Sequence, residues 1–436
     1  FESIYESPFY WMTHDKGYEK TYLENRGQTS EDMVYNSLVR AFWEENIYKN
    51  IEIKSSKSTT NNEIDILVVI WNKAICFQIK SKKLSLRAQA WEYNKIISDF
   101  TGGIQAAYHQ WIESRKEILA KDSDFYIWDD KVSFHEEIDE CYIIAITSEN
   151  YKWLSIQSFM LLEQEWDNPF PLILSLFDLE TILYYLNDKY DFLYYVRQRT
   201  KFYKNFLANT EISLLAHHLL SKLWLENDET MEAVDNSLAS LIDEHYYRKL
   251  MWYPLEENDK IETRWKNEKF NNLLSNVKQI DVPQVTDIIM NLMDLSWDTI
   301  DSLIDHMEEI TKKTNEDNKN HDVWMPIDNF WVSFMSMSNN DMDELRERLN
   351  FLCRKRKYLS QANSWIWFWK LRSYSDRLFD TVTFSTSEWE YNKEEEELYR
   401  WLPDPELINA HTWKKVFRKS PCPCWSGKKY KRCCWK

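Results

Sequence analysis

Glycine is scarce in this chain. Only five of its 436 residues are glycine, whereas tryptophan occurs 22 times, and average glycine usage is about 7%. Tryptophan stands at three places that favour glycine: Trp71 in a two-residue hairpin turn, Trp128 before Asp129-Asp130, and Trp425 near the C-terminus. Some bacterial lineages reassign a stop codon to glycine and others to tryptophan. We therefore hypothesise that a glycine codon has been rendered as tryptophan; the alternative is an aromatic-rich protein from an AT-rich genome.

Long apolar runs are also lacking. The sequence has no stretch of 18 or more apolar residues, the length that suggests a membrane-spanning helix, and no signal-peptide pattern. The seven cysteines do not resemble a disulfide framework, because four of them lie in the last 15 residues. These absences predict a cytoplasmic protein that has no membrane partner and that binds a metal near its C-terminus.

Positive charge is in short supply. The chain has 54 Lys and Arg against 71 Asp and Glu, which gives a formal net charge of −17. This balance argues against a protein that coats nucleic acid indiscriminately, because phosphate contacts need clustered cations. Residues 411–436 are the exception, with nine Lys or Arg and no Asp or Glu. This tail is predicted to dock nucleic acid or an acidic partner protein.

A β-hairpin is predicted within residues 63–83. Segments 64–70 and 73–80 are rich in β-branched and aromatic residues, which favour strands. A turn at Trp71-Asn72 sets an antiparallel register that opposes two polar pairs: Asp65 with Gln78, and Glu63 with Lys80. Directly opposed residues share a face, with Cβ atoms about 5 Å apart. Four polar groups are therefore predicted to converge on one side of this hairpin.

The four polar groups suit a divalent cation better than a protein core. Hard cations such as Mg²⁺ bind carboxylate and carbonyl oxygens, keep several waters and need only one or two protein carboxylates. A lysine beside the metal can orient or deprotonate a water and stabilise charge on a phosphate. The alternative is a sheet edge with a solvated polar stripe.

Three of these residues also form a known motif. Asp65, twelve intervening residues and then Gln78-Ile79-Lys80 resemble the D-x(n)-Q-x-K signature of Mrr-like restriction endonucleases in the PD-(D/E)xK nuclease superfamily. The proline of the superfamily motif is replaced by Ile64. The basic residues that follow are expected either to contact DNA phosphates or to form a solvated helix start: Lys82, Lys83 and Arg87.

Residues 27–38 resemble the helix that opens this nuclease fold and contributes a further acid, here Glu31. The resemblance covers residues 20–150 and implies a DNA endonuclease that depends on Mg²⁺ or Mn²⁺. The roles it implies are metal binding by Glu31, Asp65 and Gln78, and positioning or activation of the attacking water by Lys80. Glu63 is a further candidate ligand or the partner of Lys80. By the same analogy, the biological role is restriction of foreign DNA.

The elements around the hairpin predict an α/β domain over residues 1–205. Thr29 or Ser30 can cap a helix that runs from Glu31 to about Glu45. The other predicted elements are a strand at 51–53, a long helical region centred near 96–118, strands at 140–147 and 170–177, and a helix that Asp178 caps and that runs to about Tyr195. This order is typical of a mixed central sheet flanked by helices, and the resemblance implies that it is restriction-endonuclease-like.

Residues 206–410 are acidic and mainly α-helical in pattern. Apolar residues recur at helical spacing between Val285 and Ile304. The histidines of this region lack partners at ligand spacing and predict no metal site: His217, His218, His245 and His321. The region is expected to supply partner contacts or substrate access.

The tail, residues 411–436, contains the most specific motif. The segment CPCWSGKKYKRCC, Cys422 to Cys434, resembles the SEC-C zinc motif, which has glycine in place of Trp425. Four thiolates suit a closed tetrahedral Zn²⁺ site, and the implied ligands are Cys422, Cys424, Cys433 and Cys434. So short a segment cannot bury a core, so a structural Zn²⁺ is expected to hold it together. The alternative is an unstructured cysteine-rich end.

These features predict a Mg²⁺-dependent phosphodiesterase, first of all a DNA endonuclease. A rival from another class is a non-catalytic adaptor that keeps a degenerate nuclease fold and binds partners through its zinc motif. The presence of both Asp65 and Lys80 favours the enzyme, because a decayed site has no physical need for them. A third alternative is an RNA or repair nuclease on the same scaffold.

Overall fold

The structure is a computed structural model of the chain, and it describes residues 8–9, 11–56, 59–80, 85–89, 92–120, 123–148, 151, 153–165, 168–225, 229–254, 267–327, 330–340, 343, 347, 349–372, 377–399 and 429. The chain forms two compact units, Phe1–Trp265 and Lys266–Lys436. The predicted boundary near residue 205 falls inside the first unit.

The first unit combines strands and helices. Its strands are β1 (Ile47–Ser56), β2 (Thr59–Ile70), β3 (Lys73–Lys80), β4 (Asp124–Ile127), β5 (Asp130–Val132), β6 (Glu140–Thr147), β7 (Leu172–Ser175), β8 (Phe206–Leu207) and β9 (Glu232–Ala233). Its helices are α1 (Glu19–Phe42), α2 (Leu86–Gln89), α3 (Tyr93–Phe100), α4 (Ala106–Leu119), α5 (Trp153–Ile156), α6 (Leu176–Tyr185), α7 (Lys189–Lys201), α8 (Glu211–Ser221) and α9 (Ser237–Leu250). A π-helical turn, Thr101–Gln105, joins α3 to α4.

The main sheet has seven strands in the order β5-β4-β1-β2-β3-β6-β7. Strands β5 to β3 pair antiparallel, whereas β3, β6 and β7 pair parallel. Ile143 and Ala145 of β6 pack in one core cluster with α3 and α4. Their neighbours Ile144 and Ile146 are also fully buried, and successive strand residues point to opposite faces. Helices therefore cover both faces, as predicted for a mixed sheet flanked by helices.

The register of the β2–β3 hairpin is the predicted one around its turn. Ile70 pairs with Lys73 across Trp71-Asn72, and the antiparallel pairs continue to Ile66 and Phe77. This agreement has a local cause, because a two-residue turn and an apolar alternation leave one register that buries both strands.

Helix α1 begins earlier than predicted. It starts at Glu19, so Thr29 and Ser30 lie inside it rather than at its N-cap. Their hydroxyls donate to backbone carbonyls four residues earlier, Thr29 to Asn25 (2.8 Å) and Ser30 to Arg26 (2.9 Å). Such back-bonding satisfies a hydroxyl within a helix as well as capping does at its start. The predicted start at Glu31 is therefore wrong, although Val34, Leu38 and Phe42, which recur at helical spacing, are buried on the helix.

The predicted helix from Asp178 to Tyr195 is two helices. Ser175, not Asp178, is the N-cap of α6: the Ser175 hydroxyl accepts from Asp178 N (3.1 Å), and the Asp178 carboxylate accepts from Ser175 N (3.0 Å). A second cap, Asp188, accepts from Tyr190 N (3.0 Å) and starts α7. The reciprocal bonds form a capping box, which explains why the acid lies inside the helix.

Backbone conformation bears on the glycine hypothesis. Four of the non-glycine residues with positive φ in the described part of the chain are tryptophans: Trp43, Trp71, Trp128 and Trp252. Trp71 and Trp128 are each the first of two turn residues in a β-hairpin. Left-handed backbone costs a residue with a side chain roughly 1–2 kcal/mol and costs glycine almost nothing. Tryptophan thus recurs at positions that favour glycine.

The second unit contains a four-stranded sheet as well as helices. The sheet has the order β10 (His321–Ile327), β11 (Phe330–Ser336), β12 (Trp365–Lys370) and β13 (Thr381–Ser385), with β11 and β12 parallel. Its helices are α10 (Glu268–Val277), α11 (Val285–Asp294), α12 (Trp297–Asp317), α13 (Arg354–Leu359) and α14 (Lys393–Tyr399), with a π-helical turn at Leu349–Cys353.

The helical spacing between Val285 and Ile304 correctly indicated α11 and α12. The prediction of a mainly helical region missed the sheet, because the pairing of β11 with β12 joins segments about 30 residues apart and leaves no local period. Among the described residues of both units, no helix is long and apolar enough to cross a membrane.

Candidate functional site

Asp65 lies directly beyond Ile66 and Phe77, where the ladder between β2 and β3 ends. Its carboxylate joins the two strands there. Oδ2 accepts a hydrogen bond from the backbone N–H of Ile79 (2.6 Å), and Oδ1 accepts one from the amide Nε2 of Gln78 (2.6 Å). The structure therefore brings Asp65 and Gln78 together, as the predicted hairpin register requires.

Burial changes the protonation of Asp65. Removal from water raises the pKa of its carboxyl group to about 6 from an ordinary 3.8. The hydrogen bond from Ile79 and the charge of Lys80 oppose this rise in pKa, whereas the negative charge of Glu63 adds to it. The net rise shows that the protein alone stabilises the Asp65 carboxylate less well than water does. A cation at this carboxylate would remove the penalty.

Glu31 approaches the same region from helix α1. It follows the buried Ser30 and is itself half-buried. Burial raises the pKa of Glu31, the charge of Asp65 raises it further, and Lys49 opposes the rise. Asp65 is the strongest of the charges that act on Glu31. Two carboxylates from a helix and a strand therefore share one electrostatic field, which a divalent cation would neutralise.

Lys80 ends strand β3 beside β6. It pairs with Thr147 in the parallel ladder, and its carbonyl accepts a hydrogen bond from Ser148 N (3.2 Å). Its ammonium Nζ lies 3.5 Å from Oε1 of Gln110 on α4. The same ammonium charge favours the ionised form of Asp65. A cation whose charge acts on a carboxylate of the site can also stabilise negative charge that develops on a phosphate.

Glu63 does not contact Lys80. It is exposed and pairs with Glu52 on β1, because β2 continues along β1 after its ladder with β3 ends. Its charge still acts on Asp65 and Glu31. The side chain that meets Lys80 is Gln110, so the structure does not provide the predicted ion pair between Glu63 and Lys80.

The oxygen donors of the site fit a hard cation. Glu31 and Asp65 supply two carboxylates, the number that usually holds Mg²⁺ in proteins. The Gln78 amide nitrogen donates to Asp65, so metal binding by Gln78 would use its amide oxygen. Within the described ranges, no group of three or more His, Cys, Asp or Glu is arranged to hold a metal ion. The predicted set has two such residues and an amide.

Sequence reasoning missed Gln110, which contacts Lys80, and Asn62, which contacts Gln110. Gln110 carries the amide that meets the ammonium, and its backbone carbonyl accepts a hydrogen bond from Asn62 Nδ2 (3.1 Å). Asn62 and Gln110 are 48 positions apart, so no short-range motif links them. The one local feature that marks Gln110 is that it is polar and half-buried close to two buried residues of the same helix, Tyr108 and Trp111.

The other residues singled out in the sequence form contacts of their own or lie outside the described residues. Arg87 is exposed and forms an ion pair with Glu92 (2.6 Å), so its charge is already compensated. His321 contacts Asp317 (2.9 Å), and His217 lies 3.5 Å from Glu232; each is a single pair rather than a set of metal ligands. The remaining predicted residues lie outside the described residues: Lys82, Lys83, Cys422, Cys424, Cys433 and Cys434.

Similarity to known proteins is found at the C-terminus. The family model of the SEC-C motif matches residues 418–436. The protein translocase subunit SecA of Geotalea uraniireducens (strain Rf4) is 47% identical over 47 residues, which are 11% of this chain and 5% of that protein. No solved structure matches the chain. The chain therefore carries a SEC-C motif at its C-terminus, similar to a short segment of SecA, and the motif prediction for the tail is confirmed.

Proposed function

We propose that the protein hydrolyses phosphodiester bonds of nucleic acid in a metal-dependent reaction, first of all as a DNA endonuclease. The observation that carries the proposal is the placement of Asp65. Its carboxylate is held by Gln78 and Ile79 and shares an electrostatic field with Glu31 and Lys80. The D-x(n)-Q-x-K resemblance supports the same assignment, and restriction of foreign DNA is the biological role that it implies.

Each side chain has a task in this reaction. Glu31, Asp65 and the amide oxygen of Gln78 would hold Mg²⁺ or Mn²⁺, which supplies Lewis acidity and lowers the pKa of water. The Ile79 N–H and the Gln78 amide nitrogen hold the Asp65 carboxylate in place. Lys80 positions or deprotonates the attacking water and stabilises negative charge on the phosphate.

Cleavage of supercoiled plasmid, single-stranded DNA and RNA with Mg²⁺ or Mn²⁺ tests the proposal. We expect nicking by the wild type and a loss of at least about 100-fold in Asp65→Ala and in Lys80→Ala, since removal of one electrostatic contributor costs about that much. Asp32→Ala is the matched control, because Asp32 neighbours Glu31 in the sequence but is exposed and pairs with Lys49.

The outcome also separates the alternatives. Cleavage of RNA without cleavage of DNA would assign an RNA nuclease on the same scaffold. If circular dichroism shows folded proteins and no nucleic acid is cut with either metal, the nuclease proposal fails and the adaptor becomes the better assignment.

A second proposal concerns the tail and is supported by the SEC-C match at residues 418–436. We propose that Cys422, Cys424, Cys433 and Cys434 bind one structural Zn²⁺ and that the basic tail docks nucleic acid or an acidic protein. Elemental analysis of the purified full chain should find about one zinc per molecule. Cys422→Ser combined with Cys433→Ser should remove it, whereas Cys353→Ser should not, because Cys353 is a buried free thiol.

A further inference from the structure

Gln110 of helix α4 contacts both strands of the candidate site. Its side-chain Oε1 is 3.5 Å from Lys80 Nζ on β3, and its backbone carbonyl accepts from Asn62 Nδ2 on β2 (3.1 Å). The same carbonyl accepts from the Ser114 hydroxyl one turn later (3.1 Å). One residue of α4 thus touches both strands that carry the site.

The helix that carries Gln110 is held firmly against the sheet. Helix α4 contacts β2, β3 and β6, and its Tyr108 and Ile112 are fully buried in one core cluster with Ile143 and Ala145 of β6. Close packing leaves little freedom to such a helix. The amide of Gln110 is therefore presented to Lys80 from a rigid support.

A neutral acceptor has a particular effect on Lys80. Lysine is a point charge on a flexible four-carbon stem, so its ammonium needs a contact to hold one position. A carboxylate partner would hold it but would also compensate its charge. The ion pairs formed by the described residues include none with Lys80. Lys73 on the same strand does form one, with Asp139 just before β6. The amide of Gln110 can hold the ammonium and leave its charge available.

We propose that Gln110 is a positioning residue, which holds the Lys80 ammonium in one position without neutralising its charge. The inference rests on the proposed function for its catalytic consequence. The contact between the two side chains can be tested without any catalysis.

The catalytic test compares Gln110→Leu and Gln110→Glu with wild type in plasmid nicking. Gln110→Leu removes the acceptor, and we expect kcat to fall about 10-fold with KM changed less than about 2-fold, because a misplaced catalytic group slows the reaction rather than binding. Gln110→Glu keeps an acceptor but compensates the charge, so kcat should fall as well. Glu113→Gln is the control on the same helix, since Glu113 is exposed and pairs with Lys116.

The structural test follows the Lys80 ammonium by ¹⁵N NMR of the full chain labelled at lysine Nζ, with the resonance assigned by its loss in Lys80→Arg. Exchange of the ammonium protons with water should be faster in Gln110→Leu and slower in Gln110→Glu than in wild type. Glu113→Gln should leave it unchanged.

The two measurements keep the proposals apart. Altered exchange without cleavage by the wild type would support the positioning contact and reject the nuclease. Cleavage and proton exchange that are both unchanged in Gln110→Leu, with melting temperature confirming the fold, would overturn the positioning role and leave the nuclease proposal intact.

Discussion

Two groups of charged side chains in the first unit differ in how their charges are compensated. In the Arg199 cluster (Tyr195, Arg199 and Glu211), the guanidinium donates to both oxygens of Glu211 (2.7 and 2.9 Å), and the Tyr195 hydroxyl donates to the same carboxylate (2.5 Å). The Arg199 and Glu211 side chains are 1% and 2% exposed. Every charge there has a partner of opposite sign.

The Asp65 cluster (Glu31, Asp65, Gln78 and Lys80) is arranged differently. The pKa of both carboxyl groups is raised, the charge of Asp65 contributes to the rise at Glu31, and the Lys80 ammonium contacts an amide. A matched buried pair stabilises a fold only while both partners are present. Crowded carboxylates weaken a fold unless a ligand binds, and such perturbed groups are concentrated at functional sites. The comparison distinguishes a structural cluster from a candidate active site.

The largest expected effect breaks the Arg199 cluster. Glu211→Ala leaves the guanidinium of Arg199 buried without its carboxylate, and we expect the free energy of unfolding to fall by about 3–5 kcal/mol. Urea unfolding followed by circular dichroism measures it. The double variant Arg199→Met/Glu211→Leu should lose much less, because it buries no unpaired charge. Equal losses in both variants would show that packing rather than charge dominates.

The Asp65 cluster should respond in the opposite direction. Asp65→Asn removes a carboxylate that burial penalises and keeps its shape, so we expect a gain of about 1–2 kcal/mol in the free energy of unfolding at pH 8 without divalent metal. The measurement is the same urea titration. A loss of stability as large as that of Glu211→Ala would place Asp65 with the structural charges.

The pH dependence sharpens the same contrast. The pKa of Asp65 is about 6 in the folded protein against an ordinary 3.8, so the folded state holds its proton more tightly. This contribution to stability is present below about pH 4 and is lost as the pH rises through about 6. Melting temperatures between pH 4 and pH 8 should therefore fall less in Asp65→Asn than in wild type. Mg²⁺ at pH 8 should raise the melting temperature of wild type only.

The smallest expected effect lies in the turns and should leave both clusters unchanged. Trp128 is 80% exposed and has positive φ, so Trp128→Gly should raise the free energy of unfolding by about 1 kcal/mol. Trp297 is the matched control: it is 43% exposed in the first turn of α12. Trp297→Gly should lower stability rather than raise it, because glycine loses more conformational freedom on folding than other residues do. Equal effects of the two changes would contradict the backbone argument.

Mass spectrometry tests the related hypothesis about the codon. Peptides of the protein made by its own organism should carry glycine at positions 71, 128 and 425. Indole side chains at 71 and 425 would reject it. Glycine at 425 would also restore the SEC-C pattern in the tail.

The hairpin was predictable because its determinants are neighbours in the chain. Apolar residues on both sides of Trp71-Asn72 leave one favourable register, and that register brings Asp65 next to Gln78. The boundaries of helices were less predictable. The hydroxyls of Thr29 and Ser30 could either cap a helix or bond back within one, and only the packing of α1 decided between them.

The sequence alone determined the β2–β3 register and the SEC-C motif of the tail, since both depend on residues at short, fixed spacing. Tertiary structure decided the rest of the site. Glu31 comes to Asp65 from another element, and Gln110 replaces Glu63 as the partner of Lys80. The physical reason is that contacts between distant segments depend on how the helices pack against the sheet. The same order of helices and strands is compatible with several such packings.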